Sequence, residues 1–500
     1  MHANYKIAVI GSGFAGLSAA AYLAKSGCQV DVFEKNTQIG GRARQFNDKG
    51  YLFDMGPSWY WMPEVFESFY NAFGYTTSDF YELERLSPAF DMIFEGFEKF
   101  SVSNKVDELT QAFEGIEHGG AEQFKKFMAD AQVKYETSMH DFIYSPGLSP
   151  FEFMNVQAMK NAMKLSLFGS FKKHVASHFN HPKLRALMEF PVLFLGAQPK
   201  DTPSLYSMMN YAGLQLGTWY PQGGFFSVVK AMQQIGEELG VTYHTSAPVE
   251  EIHALHNKVR GISVQGQFHE FDAVVGAADY HHIESNLLDA AYRNYNEAYW
   301  QKKVFAPSSL IYYLGIDQKV EKLNHHTLFF DEDLDRHADE IYNTKKWPTA
   351  PLFYVCAPSK TDPSVAPAGK ENLFLLMPLA TGLEDSDSLR EQYFDAMMER
   401  LEAYTNTNIR GHIEVKHAYC LKDFENDYNA YGGNAYGLAN TLRQTAFMKP
   451  KMRNKKLKNL VYAGQLTVPG PGVPPAIISG KIAADQITLT LNTENYEITV

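Results

Sequence analysis

The feature that most constrains this 500-residue chain is Ala8-Val9-Ile10-Gly11-Ser12-Gly13-Phe14-Ala15-Gly16, an apolar run broken by glycines at fixed spacing. Residues 5–10 are rich in β-branched side chains and predict a buried parallel strand. Residues 15–26 then show helical spacing, with Gly27 as the stop, and residues 29–33 predict the next strand. In that frame Gly11 permits a tight turn, Gly13 lets the backbone approach an anion, and Gly16 lets helix and strand pack closely. The helix start at Phe14 and Ala15 offers unpaired N–H groups to a pyrophosphate. Glu34 falls 18 residues after Gly16, where a carboxylate accepts ribose hydroxyls and repels a 2′-phosphate. The pattern predicts a dinucleotide site, with a purely structural turn as the alternative.

A second glycine pair follows Lys35, in Ile39-Gly40-Gly41-Arg42-Ala43-Arg44. Arg42 can bridge phosphate oxygens as a forked donor; the alternative is a surface salt bridge. Far downstream come Val461-Tyr462-Ala463-Gly464, then Pro469-Gly470-Pro471-Gly472-Val473-Pro474-Pro475 and a small-residue helix over 476–487. These read as a strand and loop that return to close the same site. A cofactor gripped from both ends of the chain is a poor diffusing co-substrate, which points to flavin rather than nicotinamide.

The length predicts two or three domains. A net charge of −12 argues against general nucleic-acid binding. The 35 Phe, 29 Tyr and 18 Met suit a large apolar cavity, although they equally fill ordinary cores. Cys28, Cys356 and Cys420 have no paired spacing, which predicts a reducing compartment and no structural zinc. No charged-then-apolar leader precedes Lys6, and no apolar run reaches about 20 residues, so a cytoplasmic chain without a spanning helix is expected.

Helices are predicted over 118–142, 150–171, 203–216 and 226–239. The second carries Met159, Met163, Leu167 and Phe171 beside Lys160, Lys164, Lys172 and Lys173. It either lies in a membrane interface or packs on the core with snorkelling lysines. Strands at 241–245, 249–252, 259–264 and 273–276 read as a return to the nucleotide domain. Apolar strands at 309–316 and 373–379 with a helix at 388–404 suit a sheet-and-helix domain, and the lysine run 449–458 reads as a solvated turn.

Several of these segments together resemble the bacterial-type carotenoid (phytoene) desaturase family, related to amine oxidases and GDI-like proteins. They are Ile39 to Arg44 with Phe53-Asp54-Met55-Gly56-Pro57-Ser58, the Pro221-Gln222-Gly223-Gly224 turn, the strand bearing Val249, and Gly276-Ala277-Ala278-Asp279. Asp423-Phe424, Tyr428, the run 430–437 and the stretch 459–480 complete the set. The likeness covers nearly the whole chain. It departs where the family has Thr-His and this chain has Thr467-Val468, and where Leu421-Lys422 replaces Thr-Pro.

The resemblance implies an α/β fold: a Rossmann-like FAD-binding domain assembled from discontinuous segments, an α+β substrate domain, and a helical, membrane-associating subdomain. The FAD domain would comprise 1–75, 218–300 and 456–490, and the substrate domain 76–110 and 301–455. The helical region would be 111–217 and the tail 491–500. FAD would be held by Gly11, Gly13, Phe14, Ala15, Gly16, Glu34, Lys35, Gly41, Arg42, Gly56, Pro57, Ser58, Val249, Gly464, Gly472, Val473 and Pro474. The implied activity is FAD-dependent carotenoid desaturation, with phytoene taken to lycopene-series products. Alternatives are a 3,4-desaturase of a hydroxylated or one-end-cyclised carotenoid, an amine or porphyrinogen oxidase, and a GDI-like prenyl carrier. The implied partners are a carotenoid drawn from one membrane leaflet, through 150–171, and oxygen or a quinone as electron acceptor; no metal is implied. Glu152, His281 and His282 are conceivable bases, and nothing local distinguishes them from structural residues.

Overall fold

The computed structural model describes residues 5–149, 169–441 and 443–499. Its nucleotide layer is a five-stranded parallel sheet built from β1 (Lys6–Ile10), β2 (Gln29–Phe33), β3 (Thr242–His244), β4 (Ala273–Gly276) and β5 (Leu460–Tyr462). The spatial order is β5-β4-β1-β2-β3, and every pairing is parallel. The chain thus leaves β1 in one direction to reach β2 and later returns on its other side as β4. A crevice opens at the carboxyl end of β1, where such sheets receive ligands. Ile7, Ala8 and Val9 are fully buried, as expected of a central strand covered on both faces.

Helix α1 (Phe14–Lys25) packs against α2 (Val473–Thr499), so the two ends of the chain meet. The contact is backbone-close because small residues face each other. A Cβ added to Gly480 would stand 2.3 Å from the carbonyl oxygen of Ala15. The Ser18 hydroxyl, which water cannot reach there, donates to the carbonyl of Ile477 at 2.7 Å.

A second, seven-stranded sheet runs in the spatial order Ile413–Tyr419, Ser308–Ile316, Glu371–Leu379, Phe353–Cys356, His326–Phe329, Phe90–Phe94, Glu98–Val102. Residues 90–102 therefore pair with strands more than two hundred positions later, through the parallel ladder Thr327↔Asp91 to Phe329↔Ile93. Strands Val249–Leu255, Lys258–Val264 and Gln267–Glu270 form a small antiparallel sheet beside the nucleotide layer.

Three local expectations differ. The helix expected over 118–142 is α-helical over Gly120–Thr137 and widens into a π-turn at Ser138–Phe142. Residues 203–216 pass through a 3-10 turn, a short α segment and a second π-turn instead of one regular helix. The lysine run is not uniformly solvated: Lys449 is buried, and Lys451 reaches inward to donate to the carbonyl of Gly147 at 2.8 Å. Met452 and Leu457 pull that segment into the core. The amphipathic segment 150–171 falls outside the described residues except at its end, where Phe171 is fully buried at the start of the helix Phe171–Ala176. Among the described residues no helix is long and apolar enough to cross a membrane.

Candidate functional site

The loop leaving β1 is shaped by what it packs against. Gly11 has φ +98°, and its N–H donates to the carbonyl of Phe33 at 2.8 Å. A Cβ there would sit 3.0 Å from the backbone nitrogen of Ala278. A Cβ on Gly16 would overlap the carbonyl oxygen of Gly11 at 2.0 Å. Gly13 is different: its added Cβ meets nothing within 4 Å and points into open cavity. The three glycines thus divide into two that allow close packing and one that bares backbone to a ligand.

Glu34 is buried and ties this loop to the next. Its Oε2 accepts from the Ser12 N–H at 3.1 Å and the Ser12 hydroxyl at 2.6 Å, while Oε1 accepts from the Asn36 N–H at 2.9 Å. The second glycine pair stacks on the first: a Cβ on Gly41 would lie 3.1 Å from Cα of Gly13. Gly56 approaches as closely, its added Cβ falling 2.6 Å from the Arg42 carbonyl oxygen.

Arg42 lies over the Tyr428 ring, 4.9 Å from its centroid, and one terminal nitrogen donates to the Asn434 carbonyl at 3.1 Å. Its Nε is buried with no partner. Asp279 reaches the same region from the turn after β4, accepting from the His282 N–H at 3.2 Å, and its Oδ2 is also buried without a partner. Burial pushes the Asp279 carboxyl up and the Arg42 guanidinium down, each partly offset by the other's charge. Lys35 faces Asn429, donating to its Oδ1 at 3.2 Å, and burial lowers its pKa.

All of these residues line one cavity of about 740 Å³, Gly16 and Asn434 excepted. It also takes in Phe14, Ala15, Pro57, Ser58, Val249, Gly464, Gly472, Val473 and Pro474. Every sequence-predicted cofactor residue but Gly16 is therefore brought to a single wall system, and Gly16 shapes that wall from behind. The loop at Gly464 is anchored by its N–H donating to the Ser479 hydroxyl at 2.9 Å.

Beyond the glycine loops the cavity becomes apolar. Trp59, Trp61, Phe190, Leu328, Phe330, Leu352 and Ile311 line it, as do Met208 and Met209. Helix Leu334–Tyr342 presents Leu334, His337, Ala338, Ile341 and Tyr342 along one face. Sequence reading passed over that helix, although Asp333 caps it by accepting from the N–H of Asp335 at 2.8 Å, a usable start signal.

Neither conceivable histidine base stands out. His281 pairs with Glu297 at 2.8 Å and does not line the cavity. His282 lines its nucleotide end, where burial pushes the imidazole down to about 4. Burial pushes the His337 imidazole down to about 4, while Nδ1 accepts from the Leu352 N–H at 3.0 Å and Nε2 faces the Pro378 carbonyl at 3.1 Å. Glu152 lies outside the described residues. The Val468 departure lies on the cavity wall itself, while the Thr467 hydroxyl turns away to donate to the Pro450 carbonyl at 2.7 Å.

The site suits a dinucleotide with a long flat ring: bare backbone at Gly13, unpaired Arg42 Nε and Asp279 Oδ2, and an apolar chamber continuous with them. A parallel nucleotide sheet closed from both ends of its chain over such a chamber defines a flavoprotein oxidoreductase. The family model described as flavin containing amine oxidoreductase matches residues 14–488. A carotenoid 3,4-desaturase of Haloarcula japonica is 42% identical over 482 residues, covering 96% of this chain and 97% of that protein. A 4,4′-diapophytoene desaturase (4,4′-diaponeurosporene-forming) of Staphylococcus haemolyticus is 32% identical over 490 residues, covering 96% and 98%. The solved cyclohexylamine oxidase of Brevibacterium oxydans shares the fold with a TM-score of 0.60 at 14% identity, covering 98% of this chain and 100% of that one. The chain belongs to the flavin-containing amine oxidoreductase family, and it is an enzyme whose cofactor is FAD.

Proposed function

We propose that this enzyme is a carotenoid desaturase, and that it acts at the 3,4 position of its polyene. One observation carries the reading: the glycine-lined half of the cavity runs without a break into a chamber walled by aromatic and aliphatic side chains. A substrate with few polar groups must be recognised by shape and burial, and this chamber provides both. The 42% identity to a 3,4-desaturase supports that bond over the phytoene reaction also raised by the sequence.

Bound FAD would supply the two-electron oxidation that introduces the double bond. The chain's own residues bind, orient and exclude water. Gly13, Phe14 and Ala15 would present backbone to the pyrophosphate over the tight turn at Gly11, Glu34 would accept from the ribose, and Arg42 with Lys35 would balance the anionic charge. Gly56, Pro57, Ser58, Val249, Gly464, Gly472, Val473 and Pro474 would enclose the remainder, and Gly16 would keep α1 close enough for the cradle to form. Trp59, Phe190 and helix Leu334–Tyr342 would align the polyene and keep the site dry. We propose the same division of the chain as its sequence suggested, with FAD segments 1–75, 218–300 and 456–490 around two excursions. Phe142, Ile143 and Gly147 line the cavity and lead directly into 150–171, which supports substrate entry from a membrane leaflet at that point.

The test is product analysis with FAD-loaded enzyme and liposomes carrying phytoene, lycopene or 1-hydroxylated carotenoids, with oxygen or a quinone as acceptor. One added double bond at a chain end, seen as a red-shifted polyene spectrum, is expected. Amine oxidation with no polyene product would overturn the reading, and lycopene-series products from phytoene would move it to the other bond.

A further inference from the structure

Behind the chamber wall lies a cluster that FAD binding does not use. His326 and Cys356 are directly paired across adjacent antiparallel strands, so both side chains leave the sheet on one face. His325 precedes His326, and the two rings lie 4.4 Å apart, centroid to centroid. One ligand atom from each of His325, His326 and Cys356 lies within 4.8 Å of the others, and all three residues are buried. His325 and Cys356 also border a cavity of about 30 Å³, which Asp54 lines as well.

The hydrogen bonds leave the same atom of each imidazole spare. Nδ1 of His326 meets the Tyr354 hydroxyl at 2.6 Å, and that hydroxyl donates onward to Ser58 at 3.0 Å. The Nδ1–H of His326 is therefore the donor, and Nε2 keeps its lone pair. Nδ1 of His325 meets the Thr361 hydroxyl at 2.7 Å. Both Nε2 atoms are buried with no partner. Two neutral imidazoles fixed through Nδ1, beside a thiol, form a donor set suited to a borderline-soft cation.

We propose that His325, His326 and Cys356 form a zinc(II) site with three protein ligands and one open position. Binding replaces the thiol proton by a zinc–sulfur bond and releases that proton to solvent, with no change of oxidation state. Tetrahedral zinc, with bonds of about 2.0–2.3 Å, needs its ligand atoms about 3.3–3.7 Å apart, so the three side chains draw together on binding. The fourth position falls to a water in the small cavity. The ion would brace the wall of the chamber, because His326 stacks under Trp59 with centroids 4.1 Å apart and holds Tyr354. Cysteine spacing alone conceals such a site, since the ligands come from two strands that only the fold brings together.

The test uses tag-free, FAD-loaded protein produced in zinc-supplemented medium and dialysed against a mild chelator. Metal analysis is expected to return close to one zinc per flavin, falling to background in His326→Gln and Cys356→Ser proteins that retain their flavin. Cobalt(II) exchanged into the wild type should give a near-ultraviolet sulfur-to-cobalt band that Cys356→Ser lacks. Background zinc in the wild type, as for a site holding only water, overturns the proposal. So does zinc that both variants retain, or a cobalt spectrum without the sulfur band. Should the variants fail to fold, the wild-type zinc count and cobalt spectrum decide alone. None of these readouts depends on which substrate the enzyme desaturates.

Discussion

Replacing Gly13 by alanine should separate binding from folding in this site. The residue has φ −69° and ψ 176°, a conformation alanine adopts without strain. Its new Cβ would meet no protein atom within 4 Å, so the apoprotein should keep its stability or gain about 0.4–1 kcal/mol through a less flexible unfolded chain. The methyl group would instead occupy the space through which backbone reaches the pyrophosphate. Losing one hydrogen bond to a charged group costs about 1.5–3 kcal/mol, which is roughly a 10- to 150-fold rise in the FAD dissociation constant. Gly16→Ala should behave oppositely in the apoprotein, because its Cβ lands 2.0 Å from the Gly11 carbonyl oxygen and must displace α1. Such overpacking costs about 1–3 kcal/mol. Flavin-fluorescence titration of the apoproteins and their denaturation midpoints measure both effects. The reasoning fails if Gly13→Ala binds FAD within twofold of wild type, or if it destabilises the apoprotein as much as Gly16→Ala does.

Arg42→Lys should weaken FAD binding by about tenfold, or ~1.4 kcal/mol, since lysine keeps the charge but loses the fork over Tyr428; the same titration reads it. Ala338→Phe should lower polyene turnover while flavin content stays at the wild-type level, because Ala338 faces the chamber from helix Leu334–Tyr342; equal turnover would place the substrate elsewhere. Lys449 gives a pH signature. Burial lowers its amine from 10.5 to about 7, so between those values the unfolded chain holds a proton that the folded one lacks. Stability from this group therefore rises with pH through that window, and protonated Lys449 costs the fold up to about 5 kcal/mol below it. Lys449→Met should raise the denaturation midpoint most below pH 7, with the advantage shrinking towards pH 10; a pH-independent difference would contradict the assignment.

The parts of the site legible in the sequence are those whose causes are local. The strand, turn and helix around Gly11 to Gly16 follow from residues within a few positions of each other, as does the spacing to Glu34. Long-range partners were less visible. Tyr428 beneath Arg42, and Asp279 beside it, appear in the sequence only as motif fragments, because their role exists once distant turns converge. The parallel pairing of residues 91–93 with 327–329 has no local signal at all. Lys449 was misread for a physical reason: charge density in a lysine run suggests solvation, whereas Met452 and Leu457 alongside it drive burial.

Because β5 and α2 supply one edge of the nucleotide sheet and the partner of α1, order of synthesis matters to this enzyme. The glycine loop leaves the ribosome first, but the strand and helix that complete its cradle follow some 450 residues later. At ~5–20 residues per second, that delay is roughly 20–90 s. Throughout that interval the aromatic chamber has been made while the cradle beside it remains unfinished. Flavin capture is accordingly a late event in the life of the chain, and a polypeptide that ends before Leu460 has no route to an active site.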